Sequence, residues 1–559
     1  MVKLTYTGTV LLWYQAALSS ALAVRDNGRP TATIDSGILI GASVSEPTVS
    51  STVNQFLGIP YAKPPTRWKL PEKPDSWQDA RDASQFGNAC HQQLLSGAKN
   101  AELLNKYFNT PPASVPDSED CLYLNVFAPE AARPGSSKPV MFWIHGGTDA
   151  SGTAALPQYD GTNLAGNQDV IVVTINYRLN LFGFPTSPDI PQAERNLGLH
   201  DQRLALDWVQ RNIQSFGGDP NRVTLFGQSS GARSVDNLIT APPDPVPFAA
   251  AILQSTEPEL STADRDQEKA AWDTLLSDAD CKSAADKLGC MRQIPASALV
   301  DIAEARGLSF TASPDGGVTF ANSMPGKRAA SFIDRKAIAR VPLLIGSNAD
   351  EASPFLTGGV TLDEIMTGFL GAATAKLFLA TYRPRYKGFP SPEKRDETLI
   401  TDFIYTCPAA RLAGDSKFVR IPTWRYFYNA SFANTELFPG SGAYHSAEIR
   451  PIFAFYPEES ATPFEKDNSR VIQKAWADFA RNPAAGPGWD SAPSVQLLGG
   501  GATPGENDQN RVVSTTVEAN VVDSRCGLYK SIYDAIQTSG IMRDAVDTAL
   551  RQNIRQNRE

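Results

Sequence analysis

Histidine is scarce in this chain: four residues in 559, alongside six cysteines and six methionines. So few imidazoles and thiols leave little material for a metal cluster, and neither an HExxH motif nor a glycine-rich dinucleotide loop after a strand occurs. No metal or organic cofactor is expected. Positive charge is short as well, with 51 Lys and Arg against 60 Asp and Glu, a formal net charge of −9 and a pI near 5.2. That balance lacks the basic footprint a nucleic acid requires. No stretch reaches about 18 uninterrupted apolar residues and no apolar tail closes the chain, so no integral membrane segment is expected. Linkers are missing too: no Pro/Gly/Ser-rich joint, charge run or internal repeat divides the sequence. With 42% hydrophobic residues, the chain reads as one large domain over 24–559 with ample material for a core.

The first 23 residues have another layout. Lys3 precedes an apolar stretch over 10–18, and the small-residue site Ala21-Leu22-Ala23 follows, which is the pattern of a secretory signal peptide occupying 1–23. A first core strand is the bland alternative; Gln15, Ser19 and Ser20 interrupt the run too early for a comfortable membrane span. A soluble, exported, extracellular protein is expected, with cell-wall association left open. The cysteines are then Cys90, Cys121, Cys281, Cys290, Cys407 and Cys526, an even count that fits disulfides in an oxidising compartment. Cys281 and Cys290 are near enough to close a small loop alone.

Short apolar runs rich in branched residues, over 140–144, 170–175, 223–226 and 341–345, read as fully buried parallel strands. Between them lie helical patterns such as 201–216, where Leu204 with Trp208 and Val209 with Ile213 repeat at i, i+4. Alternating strand and helix predicts an α/β fold, and in such sheets chemistry gathers beyond the carboxyl ends of the strands.

The run 223–226 leads directly into Gly227-Gln228-Ser229-Ser230-Gly231, a G-x-S-x-G pattern between strand and helix. That is the setting of a nucleophile elbow, where a tight turn lifts the serine oxygen above the sheet. The bare pattern arises by chance about 0.2 times in a chain of this length, so the context carries the reading. A serine hydroxyl needs a base, and of His91, His145, His200 and His445 only His445 follows Ser229, as the chain order serine, acid, histidine demands. His445 sits in a loop-like stretch, 442–448, after a strand candidate at 424–428. The acid should follow the strand 341–345, where Asp350 and Glu351 compete and the pattern alone does not choose. Oxyanion donors are expected from the backbone N–H of Ser230 and from the loop His145-Gly146-Gly147-Thr148.

Four further blocks carry a resemblance: Phe56-Leu57-Gly58-Ile59-Pro60-Tyr61-Ala62-Lys63-Pro64-Pro65, Glu119-Asp120-Cys121-Leu122-Tyr123-Leu124-Asn125-Val126, Leu197-Gly198-Leu199-His200-Asp201-Gln202-Arg203, and Phe216-Gly217-Gly218-Asp219-Pro220 leading to the elbow. In this order they resemble the type-B carboxylesterase, lipase and cholinesterase family, especially its secreted fungal carboxylesterases. The resemblance implies an α/β-hydrolase fold with a large, mostly parallel sheet and long loop excursions, and a serine hydrolase acting on small-molecule carboxylic esters. It implies Glu351 as the acid, Gly147, Thr148 and Ser230 as the oxyanion donors, and disulfides Cys90–Cys121 and Cys281–Cys290. Cys407–Cys526 is what remains.

The chain departs from the family twice. Thr148, followed by Asp149, stands where a third glycine is usual, and Gln228 stands where many relatives have glutamate. The lost negative charge argues against a cationic choline substrate. The stretch between Cys90 and Cys121, with Leu94, Leu95, Leu103, Leu104, Tyr107 and Phe108, resembles the flap of the lipase branch and would serve as a lid or pack on the core. The alternatives to a general esterase are thus an interfacial lipase, a tailoring esterase or lactone hydrolase of a secondary-metabolite pathway, and a non-catalytic adhesion protein. Asn429-Ala430-Ser431 is an N-glycosylation acceptor inside a strand candidate.

Overall fold

The structure is a computed structural model that describes residues 28–535, except 47, 94–98, 100–101, 104–114, 257–264, 507 and 509. The leader at 1–23, and Leu94, Leu95, Leu104, Tyr107 and Phe108 of the flap, lie outside the described residues; Leu103 sits in a short helical turn.

An 11-stranded mixed sheet forms the centre. Its strands are β1 (Ala42–Val44), β2 (Val53–Pro60), β3 (Tyr123–Pro129), β4 (Lys138–Ile144), β5 (Ile171–Ile175), β6 (Gly218–Gln228), β7 (Ala250–Gln254), β8 (Leu343–Asn348), β9 (Thr423–Tyr428), β10 (Val495–Leu498) and β11 (Ser514–Val517). They lie in the spatial order β1-β2-β3-β5-β4-β6-β7-β8-β9-β10-β11. From β5 across to β10 every pairing is parallel, while β11 pairs antiparallel with β10 at one edge and β5, β3, β2 and β1 pair antiparallel in succession at the other. This is the α/β-hydrolase architecture, with helices on both faces.

The parallel strands read as continuous apolar runs because both faces are covered. Val140, Phe142 and Ile144 point into one core layer and Met141 and Trp143 into the other, and Ile171, Val173 and Ile175 alternate with Val172 in the same way. Each fully buried aliphatic or aromatic side chain contributes about 1.5–3 kcal/mol. The helix expected over 201–216 begins earlier, as α1 (Leu197–Asn212), and ends in a tighter turn, Ile213–Phe216. Leu197 and Leu199 are buried, so the apolar side that defines the helix extends further back than the i, i+4 pairs suggested. Asp201 on α1 receives the Arg178 guanidinium at 2.8 and 2.7 Å in full burial, a forked pair that anchors the helix to the segment after β5.

The strand expected at 341–345 runs instead from Leu343 to Asn348. Gly346, Ser347 and Asn348, composed like a loop, pair in parallel register with Tyr426, Phe427 and Tyr428 of β9. A neighbouring strand that supplies hydrogen bonds overrides local composition. Asn429 falls just past the end of β9 rather than within it, half-buried, its side-chain amide oxygen Oδ1 accepting from the Gly501 N–H at 2.9 Å.

Three disulfides join Cys90 to Cys121, Cys281 to Cys290 and Cys407 to Cys526. Among the described residues no helix is long and apolar enough to cross a membrane.

Candidate active site

The site is assembled at the carboxyl ends of β4, β6, β8 and β9. β6 passes straight into α2 (Ser230–Thr240), and Ser229 at the junction holds φ 57° and ψ −126°. A non-glycine residue at positive φ is strained, and such strain concentrates at functional turns. The close approach of β4 explains the glycine two residues on: a Cβ on Gly231 would sit 2.2 Å from the Ile144 carbonyl oxygen. Ser229 is 2% exposed and its N–H donates to the Gln254 carbonyl at 2.9 Å, which ties the elbow to β7.

Glu351 follows β8 by three residues and is fully buried. One carboxylate oxygen lies 2.6 Å from Nδ1 of His445; the other accepts the Asn348 N–H at 2.7 Å. The backbone bond uses one oxygen and aims the other at the ring. On its far side, His445 Nε2 lies 3.0 Å from the side-chain amide nitrogen of Gln228, the residue before Ser229, so the imidazole stands beside the elbow. With Nδ1–H donated to Glu351, Nε2 is the acceptor and the ring is held in the tautomer a base needs. Tyr405 and Phe355 flank the ring at centroid separations of 4.9 and 5.5 Å. Tyr405 belongs to a π-helical turn, Thr401–Thr406, inserted before the helix that starts at Cys407.

Asp350, the competing carboxylate, takes a different task. It does not reach the ring; it exchanges backbone and side-chain hydrogen bonds with Ala443 and pairs with Lys394. The adjacent carboxylates divide the work because successive residues point in different directions: one orients the imidazole, the other the loop that carries it.

The other histidines are engaged elsewhere. His145 is wholly buried, stacked on Tyr177 at 4.5 Å, with Nδ1 2.8 Å from the Gly146 carbonyl, and burial pushes it down to about 4. His200 contacts the Ala193 carbonyl at 3.0 Å, and His91 packs near Phe182 at 5.4 Å; burial lowers both.

The loop after β4 lies against the elbow, since a Cβ on Gly146 would meet the Gln228 carbonyl at 2.7 Å and Ser229 Cβ at 3.1 Å. Gly147 has φ 115° and Thr148 φ 57°; the Thr148 hydroxyl donates to the Gly147 carbonyl at 2.7 Å, folding that side chain back on its own loop. Ser230 is fully buried at the first position of α2, and its hydroxyl lies 3.4 Å from the Asp149 N–H of the same loop.

Two residues had little signal in the sequence. Glu448, in the histidine loop, is 1% exposed and accepts from the Gln254 amide at 3.0 Å and the Asn348 amide at 2.5 Å. Burial, and then the charge of Glu351, push it up to about 7. Asn348 thus binds both carboxylates, one through its backbone and one through its side chain. Its position three residues before Glu351 was visible, but not that both carboxylates would converge on it.

Comparison with known proteins places the chain in a family. The model of the Carboxylesterase family matches residues 28–492. The chain is 33% identical to a mouse (Mus musculus) protein named cholinesterase, over 78% of this chain and 76% of that one. It is 33% identical to the para-nitrobenzyl esterase of Bacillus subtilis, over 78% and 88%, and 31% identical to liver carboxylesterase 1 of the rabbit (Oryctolagus cuniculus), over 84% and 89%. Sheet topology, motif order and family match agree, and the chain belongs to the type-B carboxylesterase family of α/β-hydrolases, as a carboxylic ester hydrolase.

Proposed function

We propose that this protein is an exported serine esterase that works through an acyl-enzyme on Ser229. His445 takes the proton from the Ser229 hydroxyl as the oxygen attacks the ester carbonyl, and Glu351 stabilises the imidazolium that forms. The N–H groups of Gly147, Thr148 and Ser230 receive the tetrahedral oxyanion, each such donor being worth about 2.7–4 kcal/mol at the transition state. His445 returns the proton to the leaving alcohol, then activates a water that releases the acid. The observation that carries this reading is the 2.6 Å contact between His445 Nδ1 and Glu351, with the opposite ring nitrogen beside the elbow.

Export is supported by the leader pattern at 1–23 and by three disulfides, which persist in oxidising compartments. The remaining chain, 24–559, is proposed as one catalytic domain, with Asn429 as the glycan acceptor. The neutral Gln228 beside His445 favours uncharged esters over cationic ones.

The test is hydrolysis of p-nitrophenyl esters from acetate to palmitate by the purified protein, beside Ser229→Ala. Activity on short acyl chains that the variant lacks supports the proposal. Rates rising with chain length would move the assignment to an interfacial lipase, and failure on every ester would overturn it.

A further inference from the structure

Where the family commonly has a third glycine, this chain carries two successive non-glycine residues in the left-handed region, Thr148 with φ 57° and Asp149 with φ 60°. Side chains resist that conformation, and a loop holding two of them persists only when its surroundings over-determine it. Asp149 supplies the bonds that do so. It is 1% exposed. Its carboxylate accepts from the Arg233 guanidinium and, at 3.0 Å, from the Ala312 N–H. Its carbonyl accepts the Asn180 N–H at 2.6 Å, and its own N–H points to the Ser230 hydroxyl at 3.4 Å.

Arg233 lies on the first turn of α2, its N–H donating to the Ser229 carbonyl at 3.0 Å. The pair therefore joins the two halves of the proposed oxyanion hole: the loop that presents Thr148 and the helix that presents Ser230.

Charge gives the pair a second consequence. A lone buried carboxylate one residue from an oxyanion donor would oppose the negative charge that develops there. The guanidinium cancels it. Removing the cation alone should therefore be worse than removing both charges together.

We infer that Asp149, neutralised by Arg233, is a positioning residue that holds the oxyanion loop in its strained, donating conformation. This rests on the serine-esterase reading. The experiment uses the whole protein and its variants D149N, R233M, R233K and D149N/R233M, measuring kcat and KM on p-nitrophenyl butyrate and the inhibition constant of phenylboronic acid, which forms a tetrahedral adduct with the nucleophile. R233M is expected to lose about a hundredfold in kcat with KM within about twofold, and boronate affinity should fall in parallel. D149N should lose about tenfold, since asparagine tolerates the left-handed backbone but no longer binds the cation as an anion. D149N/R233M should recover to at least about tenfold above R233M. R233K, which keeps the charge, should retain about a third of kcat, and D149N, read by its boronate affinity, carries the test if R233M does not fold.

A double variant no better than R233M, equal losses in R233K and R233M, or unchanged boronate affinity in D149N would each overturn the inference. Ser229→Ala separates the two assignments. If it abolishes boronate binding while R233M and D149N bind like wild type, the serine stands and Asp149 is removed from the site. If Ser229→Ala binds the boronate as wild type does, the esterase reading fails and the inference fails with it.

Discussion

Asp350 and Ala443 hold each other by two hydrogen bonds, from the Asp350 N–H to the Ala443 carbonyl at 3.0 Å and from the Ala443 N–H to the Asp350 carboxylate at 2.8 Å. The clamp sits one residue before Glu351 and two before His445, so it fixes the spacing between the strand that carries the acid and the loop that carries the imidazole.

Glu351→Gln and Asp350→Asn should therefore differ in kind. The first removes the acceptor that selects the His445 tautomer, and kcat should fall by about 10³–10⁴. The second loosens the loop but leaves the ring its partner, and a loss of about tenfold is expected. Steady-state kinetics of both variants on one short-chain ester check this; equal losses would deny the division of labour.

Gln228→Glu places a carboxylate where a neutral amide now lies 3.0 Å from His445 Nε2. An anion there favours the protonated ring, so the acid limb of the kcat/KM profile should move to higher pH by about one unit or more. Cationic esters should gain on neutral ones of the same size. A pH–rate profile with an acetylcholine-like and an isosteric neutral ester reads both effects.

Glu448→Gln should change how stability depends on pH. The carboxyl of Glu448 is pushed up to about 7 in the folded protein, from an ordinary value of 4.5. Below about 4.5 both folded and unfolded states are protonated and burial costs nothing; as pH rises toward 7 the unfolded chain ionises first, so stability is lost over that window, by up to about 3 kcal/mol. The variant has no proton to lose there. Its Tm relative to wild type should rise between pH 4.5 and 7 and then level off; a flat difference would show that the carboxyl does not titrate in this range.

Cys407 and Cys526 are bonded across a separation of 119 residues, and Tyr529, just beyond, is buried in the apolar cluster with Phe378 and Phe403. Replacing both cysteines by serine removes a long closed loop from the unfolded chain, for which about 4 kcal/mol is expected. The midpoint of guanidinium unfolding should fall by more than kcat on a short ester, because the sulfurs bond each other and not the triad, Cys407 being linked to His445 through Tyr405 of the preceding π-helical turn.

Much of this molecule could be read along the chain. Parallel strands buried on both faces must be apolar throughout, so the runs at 140–144 and 223–226 were legible, and the G-x-S-x-G turn between a strand and a helix located Ser229. The count of histidines left His445 by elimination, and motif order pointed to the family. The end of β8 was not legible, because Gly346, Ser347 and Asn348 form a strand only through the partners that β9 provides. Nor was the choice between Asp350 and Glu351: the two are chemically alike and adjacent, and only the packed direction of each side chain assigns one to the ring and the other to the loop. The same holds for Glu448 with Asn348 and for Asp149 with Arg233, whose members lie 100 and 84 residues apart. Local sequence determines which residues can form strands, turns and an elbow, because those depend on neighbours a few positions away. Which distant carboxylate meets which amide, ring or cation depends on the register of strands and loops, and only the folded chain decides it.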